Sequence, residues 1–201
     1  AFGIDINLIE PLLPIHILWI NLVTDSLPAL ALAVDPAEND SMKKKPIKEE
    51  GIFTKSRLWR VIYQGTMIGL ITLAAFIIGL ATPEEILPQV EGLSTEEVKV
   101  EIGQTMAFVT LAFAELVHVF NVRNSKKSIF KTQPFKNKVL LLALGVSALL
   151  MIIILAVPGL RNVFSIPVLP AQDIFEMILL ILSPILIVEF MKFFKLNGNK
   201  H

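Results

Sequence analysis

Apolar residues fall into five blocks, separated by segments that carry the charges and many of the prolines. The blocks run from about Leu12 to Val34, Leu58 to Leu80, Ile102 to Val122, Val139 to Val157 and Ile174 to Phe194. Each approaches or exceeds the roughly 20 residues that a helix needs to cross the hydrocarbon core of a bilayer. The pattern predicts an all-α fold, a polytopic bundle of five transmembrane helices that makes residues 1–201 one membrane domain with no soluble domain. No internal repeat or low-complexity tract interrupts it. The first block does not read as a cleaved signal peptide, because it lacks a basic start and a small-residue cleavage site and contains Asn21 and Asp25.

Composition supports the pattern: 54% of residues are apolar and 18% charged, with a mean hydropathy of +0.67, a more apolar balance than soluble domains carry. Cysteine is absent, which excludes a disulfide framework or a thiolate metal site. There is no phosphate-cradling Gly-rich loop, nucleophile constellation or His/Cys metal spacing. No catalytic or cofactor-binding residue is therefore expected in the chain, and no nucleic-acid partner.

The formal net charge is zero, so the distribution of charge carries the information. Asp35 to Arg60 holds seven Lys and Arg, Asn121 to Lys138 six and the segment from Met191 three, whereas the alternate segments hold only Lys99 and Arg161. Basic residues gather on the cytoplasmic side of membrane proteins. The first helix is thus expected to enter from outside and the carboxy terminus to be cytoplasmic, with Ile4 to Leu13 and Thr82 to Glu101 as external loops. An odd number of spans starting outside, with no initiating Met, leads to the expectation that Ala1-Phe2-Gly3 is an internal cut.

Beyond the first turn of each span, three acidic residues lie within them: Asp25, Glu115 and Glu189. An ionisable group in hydrocarbon is a functional hypothesis, because desolvating it is costly. Asp25 belongs to Trp19-Ile-Asn-Leu-Val-Thr-Asp-Ser-Leu-Pro28. At about 100° per residue, Asn21, Thr24 and Asp25 fall within an arc of about 100° on a regular helix. Pro28 has no amide hydrogen for the Thr24 carbonyl and its ring crowds that carbonyl, so the first helix is expected to break near Pro28. Broken helices at membrane depth are tolerated where they face protein or a watery cavity, and freed carbonyls there are cation ligands. Carboxylate, amide, hydroxyl and main-chain oxygens together suit a hard cation, calcium best. The competing structural reading is an interhelical hydrogen-bonding cluster.

Glu115 lies midway along the third block and needs a partner or a proton there; it completes the same cation site or is a protonated packing residue. His118 reads as a packing or interfacial histidine, and Glu189, close to Lys192 and Lys195, as a group reaching the interface. Gly65 and Gly69 form a G-x-x-x-G face that permits close helix contact. Ser183-Pro184 is expected to kink the last helix.

The stretch Leu18-Trp-Ile-Asn-Leu-Val-Thr-Asp-Ser-Leu-Pro-Ala-Leu-Ala-Leu-Ala33 closely resembles the sixth transmembrane helix of P-type calcium pumps, especially the sarco/endoplasmic reticulum class. In that family the N-x-x-T-D residues bind calcium, which by resemblance assigns this role to Asn21, Thr24 and Asp25. Asp35-Pro36, Asp40-Ser-Met42 and Pro46 resemble the cytoplasmic loop that follows. Glu115 and Asn121 match the eighth helix, whose glutamate is a calcium ligand, and His118 stands where the reticulum pumps carry asparagine. Pro184, Glu189 and Lys192 resemble the tenth helix. The five spans thus look like helices six to ten of a ten-helix pump.

The resemblance implies calcium as the transported ion, with ATP and Mg used by the full-length pump and bound outside this chain. It also implies partners in the lipid bilayer, calcium ions and the amino-terminal helices and cytoplasmic domains of the same protein. The family's D-K-T-G-T phosphorylation motif is not in this sequence, so the piece alone is expected to be inactive. The membrane is expected to be a bacterial plasma membrane or a eukaryotic reticulum-like one. A P-type pump for manganese or a monovalent cation, and a passive channel or permease, are the alternatives.

The charge pattern places Ser125 in the cytoplasm and the Thr82 to Glu101 segment outside. Single-cysteine labelling in intact cells, free of background in a cysteine-less chain, is expected to modify a cysteine at Gln89 and spare one at Ser125; the reverse pattern overturns the orientation.

Overall fold

The computed structural model describes residues 10–34, 54–90, 92–123 and 137–193. The readings placed on Asp35-Pro36, Asp40 to Pro46, Ser125 and Lys195 lie outside the described residues. Five helices are long and apolar enough to cross a membrane. They are α1 (Pro14–Ala33), α2 (Lys55–Leu80), α3 (Thr95–Arg123), α4 (Lys138–Ala156) and α6 (Ala171–Phe193). A short α5 (Pro158–Val163) follows α4. The all-α, five-span expectation is met.

Local signals set the boundaries. Thr54 caps α2 by accepting the Arg57 amide, and Asn137 caps α4 by accepting the Leu140 amide at 2.9 Å. α3 begins at Thr95 rather than at Ile102. Ser94 and Glu97 cap each other there, the Ser94 amide and hydroxyl donating to Glu97 Oε2 at 2.7 and 2.8 Å. The segment read as an external loop thus contributes two helical turns, because a capping box outweighs the polarity of Glu96, Glu97 and Lys99. The prolines act as expected, with Pro158 opening α5 at its first turn.

α1 is a composite: α-helical from Pro14 to Trp19, π-helical from Ile20 to Asp25, α-helical again from Ser26 to Ala33. The break expected near Pro28 therefore takes the form of a widened turn just before the proline. Insertions of this kind relieve a misfit in the hydrogen-bond ladder without unwinding the helix. In α6, Ser183 Oγ donates to the Leu180 carbonyl at 2.7 Å, the very carbonyl that Pro184 leaves without an amide. The helix continues through the proline to Phe193.

α3 is the hub. It packs on α1, α2, α4 and α6, and 61% of its span is buried against 17–33% for the other four. Ile102, Met106, Phe108, Val109 and Ala112 meet Ala75 of α2, Met151 and Ile154 of α4 and Met177 of α6 in one cluster. Leu22, Leu30, Leu70, Leu142 and Leu186 point outward, each more than 60% exposed, as suits the lipid-facing side of a membrane bundle.

Lipid is as apolar as leucine, so close van der Waals approach replaces the hydrophobic effect in holding such helices together. The closest approach joins Gly79 of α2 to Gly103 of α3: a Cβ on Gly79 would lie 2.6 Å from the Gly103 Cα. Gly65 and Gly69, by contrast, meet nothing within 4 Å. The G-x-x-x-G face expected to pack is open among the described residues, and the packing glycines are one pair on two helices, a spacing no single-helix motif encodes.

Polar latches close the end where α1 begins. His16, fully buried, stacks on Phe108 at 4.3 Å; its Nδ1 accepts the Leu13 amide at 3.3 Å, which leaves Nε2 to donate to the Phe164 carbonyl at 2.8 Å. Thr82 Oγ1 lies 3.1 Å from Asp173 Oδ2, and Gln104 donates to the Glu10 carbonyl at 2.8 Å. At the other end Glu189 pairs with Lys192 at 3.0 Å, with the two side chains only 16% and 5% exposed. Lys192 is the neighbour the sequence offers Glu189, and a close partner of opposite charge on its own helix makes partial burial tolerable.

Gly79→Ala is expected to destabilise the chain by about 1–3 kcal/mol, the usual penalty of overpacking, because the new methyl meets backbone that cannot yield. Gly65→Ala should be near neutral. Thermal unfolding in detergent distinguishes them, and equal effects would refute the crossing.

Candidate cation-binding site

The π-helical segment of α1 carries the three polar residues singled out by sequence. A π turn takes more residues than an α turn, so residues three apart separate further around the axis than on a regular helix. Asn21 and Asp25 accordingly share one exposed side, whereas Thr24 is 1% exposed and turned into the bundle. The single face expected for all three is thus divided.

The widened turn also leaves main-chain carbonyls poorly served by amides, and hydroxyls take their place. Thr24 Oγ1 donates to the Ile20 carbonyl at 2.8 Å, and Ser26 Oγ to the Asn21 carbonyl at 2.7 Å. Ser147 Oγ of α4 donates to the Val23 carbonyl at 2.8 Å. Sequence reasoning missed Ser147. Its signal was available, since it is the lone hydroxyl between Val139 and Val157. A second brace from the same neighbour is Asn137 Nδ2, 3.3 Å from the Ala31 carbonyl.

Glu115 of α3 meets this segment. Its carboxyl lies beside that of Asp25, and its Oε2 is buried with no hydrogen-bond donor among the described residues. Ionised carboxylates only accept hydrogen bonds, so two of them in contact need a proton or a cation between them. The structure therefore brings together Asp25 and Glu115, with Thr24 one residue from Asp25 on the inner side and Asn21 one turn away on the outer. All the donors are oxygens, which fits a hard cation. Among the described residues no group of three or more His, Cys, Asp or Glu gathers anywhere, so the amide, hydroxyl and main-chain oxygens would be needed to complete a coordination shell.

Five apolar helices long enough to cross a bilayer, packed around α3, define a polytopic helical membrane region. Residues 9–194 match the family described as cation transporting ATPase, C-terminus, and the chain belongs to that family. It is 42% identical over 190 residues to Calcium-transporting ATPase 1 of Bacillus cereus, covering 93% of this chain and 21% of the relative. The Calcium-transporting ATPase of Bacillus subtilis is 42% identical over 164 residues, covering 81% and 17%. A plant relative, Calcium-transporting ATPase 2, endoplasmic reticulum-type, of Arabidopsis thaliana, is 29% identical over 229 residues, covering 92% and 22%. The chain spans about a fifth of the length of these relatives.

Proposed function

We propose that this chain is the carboxy-terminal membrane region of an ATP-driven calcium pump, in which Asn21, Thr24, Asp25 and Glu115 supply oxygens to the transported ion. The observation that carries the reading is the contact between the carboxyls of Asp25 and Glu115 on two separate helices, at the one π-helical turn of α1. A structural cluster does not call for two acids in contact at membrane depth; an ion that arrives, neutralises them and leaves does. The names of the relatives as calcium-transporting ATPases support calcium as the ion. ATP and Mg act elsewhere in such a protein, on domains that this chain does not include, and the piece by itself hydrolyses nothing. The basic loops face the cytoplasm in this reading.

In turnover the carboxyl pair alternates between a shared proton and a bound cation. Calcium accepts irregular oxygen shells, which suits a turn whose hydroxyls already hold the Ile20, Asn21 and Val23 carbonyls in place. Those hydroxyls keep the turn from relaxing to a regular helix when the ion departs.

Asp25→Asn in the full-length protein is expected to abolish calcium-activated phosphorylation by ATP while sparing phosphorylation by inorganic phosphate, which needs an empty site. Ordinary calcium activation in that variant would mean the ion binds elsewhere. Glu115→Gln keeps the shape but removes a charge, and the calcium concentration for half-maximal phosphorylation should rise by at least about tenfold, since one charged contact is worth about 1.5–3 kcal/mol. An unchanged value would leave Glu115 a packing residue.

A further inference from the structure

Where the amino-terminal half of α2 meets α6, the two helices leave an open groove. Trp59, Tyr63, Thr66, Met67 and Leu70 of α2 form most of its wall, with Ile187 of α6 opposite. The Tyr63 hydroxyl is already engaged by Gln64 Nε2 at 3.1 Å, so the groove offers an occupant mainly apolar surface.

The length of the groove says which kind of occupant fits. From Trp59 to Ile71 it runs about 18 Å along the helix, starting near the end of the Arg57–Leu80 span and stopping near its middle. Half of a hydrocarbon core about 30 Å thick is about 15 Å, the depth of a single leaflet. A transmembrane helix docking here would need a seam along the whole span; an acyl chain needs only this half. The open glycine face is a separate surface. Gly65 and Gly69 lie about 160° and 120° around the axis from Tyr63, so a helix closing on the glycines would leave the groove uncovered.

The mouth of the groove is basic and aromatic. At about 100° per residue, Lys55 lies about 80° to one side of Tyr63 and Arg60 about 60° to the other. The two cations therefore flank the groove within the first two turns of α2. Lys55 is exposed, and Arg60 lies beside the Tyr63 phenol. Helical side chains lean toward the amino-terminal end, which here is the end nearest the membrane surface, and long basic side chains extend to that surface along apolar stems. Trp59 and Tyr63 stand one turn apart at the depth where such rings concentrate, between headgroups and hydrocarbon.

We propose that this groove is a binding site for an anionic phospholipid of the leaflet bordering the amino-terminal end of α2: one acyl chain lies along Trp59 to Ile71 and against Ile187, and the headgroup phosphate sits between Lys55 and Arg60. The apolar wall fixes depth, and the two cations select the sign of the headgroup charge. The site is distinct from the Asp25 and Glu115 pair and stands whether or not those residues bind calcium.

Trp59 is the reporter for the test. The full-length protein is reconstituted in phosphatidylcholine vesicles doped with phosphatidylglycerol brominated on its acyl chains, or with phosphatidylcholine brominated in the same way. The signal of interest is the fluorescence that Trp59→Phe lacks. Phosphatidylglycerol should quench it to half at a mole fraction more than about fivefold below that of phosphatidylcholine, since each cation near the surface favours an anionic headgroup by about fivefold. Lys55→Gln and Arg60→Gln should each lower the preference by about fivefold. Thr66→Phe fills the groove and leaves both cations in place, and it should abolish the preference. Gel filtration in detergent establishes that each variant is folded, and Lys55→Gln changes a side chain that is exposed. Equal quenching by the two lipids in the wild type overturns the proposal, because the groove is then bathed by lipid without selecting it. A preference that survives Lys55→Gln with Arg60→Gln, or one that survives Thr66→Phe, overturns it too. Absence of quenching by either lipid would mean that a protein segment covers the groove, which also overturns it.

Discussion

Every polar group inside a bilayer must find its partner within the protein, because hydrocarbon offers none. That constraint organises this bundle more than any apolar contact does. The π turn of α1 exposes carbonyls, and three hydroxyls, on Thr24, Ser26 and Ser147, are positioned to take them. Pro184 deprives the Leu180 carbonyl of its amide, and Ser183 serves it. The buried imidazole of His16 has both nitrogens engaged with main chain. Where the rule is kept the structure is fixed; the buried Glu115 Oε2 is one of the places among the described residues where it is left open.

The hub position of α3 follows from the same physics. A helix surrounded by four others needs small or slender side chains where it is crossed, and α3 has Gly103 and Ala107 against α2 and Ala112 and Ala114 in its buried faces. It also carries more buried polar residues than any other helix among the described residues, since a helix shielded from lipid can hold Gln104, Thr105, Thr110, His118 and Asn121 at 7% exposure or less. The outward leucines of α1, α4 and α6 are the complement of this arrangement. Close packing and polarity are thus drawn to the same element, and the Glu115 carboxyl on α3 inherits a rigid mount.

Much of this was legible in the sequence, and the rest was hidden for identifiable reasons. The five spans follow from block length alone, and Pro28 announced an irregular α1. The form of the irregularity was not readable: proline predicts a missing bond but not whether the helix unwinds or widens, and widening is what separated Thr24 from Asn21 and Asp25. The closest helix crossing was not legible, since Gly79 and Gly103 pack and share no motif, while the Gly65 and Gly69 face is open among the described residues. Glu189 was read beside Lys192, and the two side chains pair at 3.0 Å. The approach of Asp25 and Glu115 links positions 90 residues apart; the residues alone left it as one of two readings for Glu115, and the family resemblance favoured it.

The division of the π turn into two sides bears on how an ion could be both held and released. On the inner side Thr24 and the hydroxyl-braced carbonyls are locked by α4 and by their own helix, and none of them changes charge. On the outer side Asn21 and Asp25 are exposed among the described residues, and Asp25 with Glu115 holds the charge. A site whose rigid part is neutral and whose charged part lies on the accessible side can alter its affinity by moving one carboxyl a short way, without dismantling the turn. Electrostatic attraction between charges falls off with distance and with admission of water, so a small displacement of Glu115 relative to Asp25 changes ion binding far more than the same displacement of a hydroxyl. In the proposed calcium reading, α3 carries Glu115 as a rigid body and touches α6 at Asn121 and the Pro184 carbonyl, so a shift of α3 as a whole would move that carboxyl relative to Asp25. Coupling between a distant conformational change and the ion then requires no deformation of α1, only a shift of the hub against its neighbour.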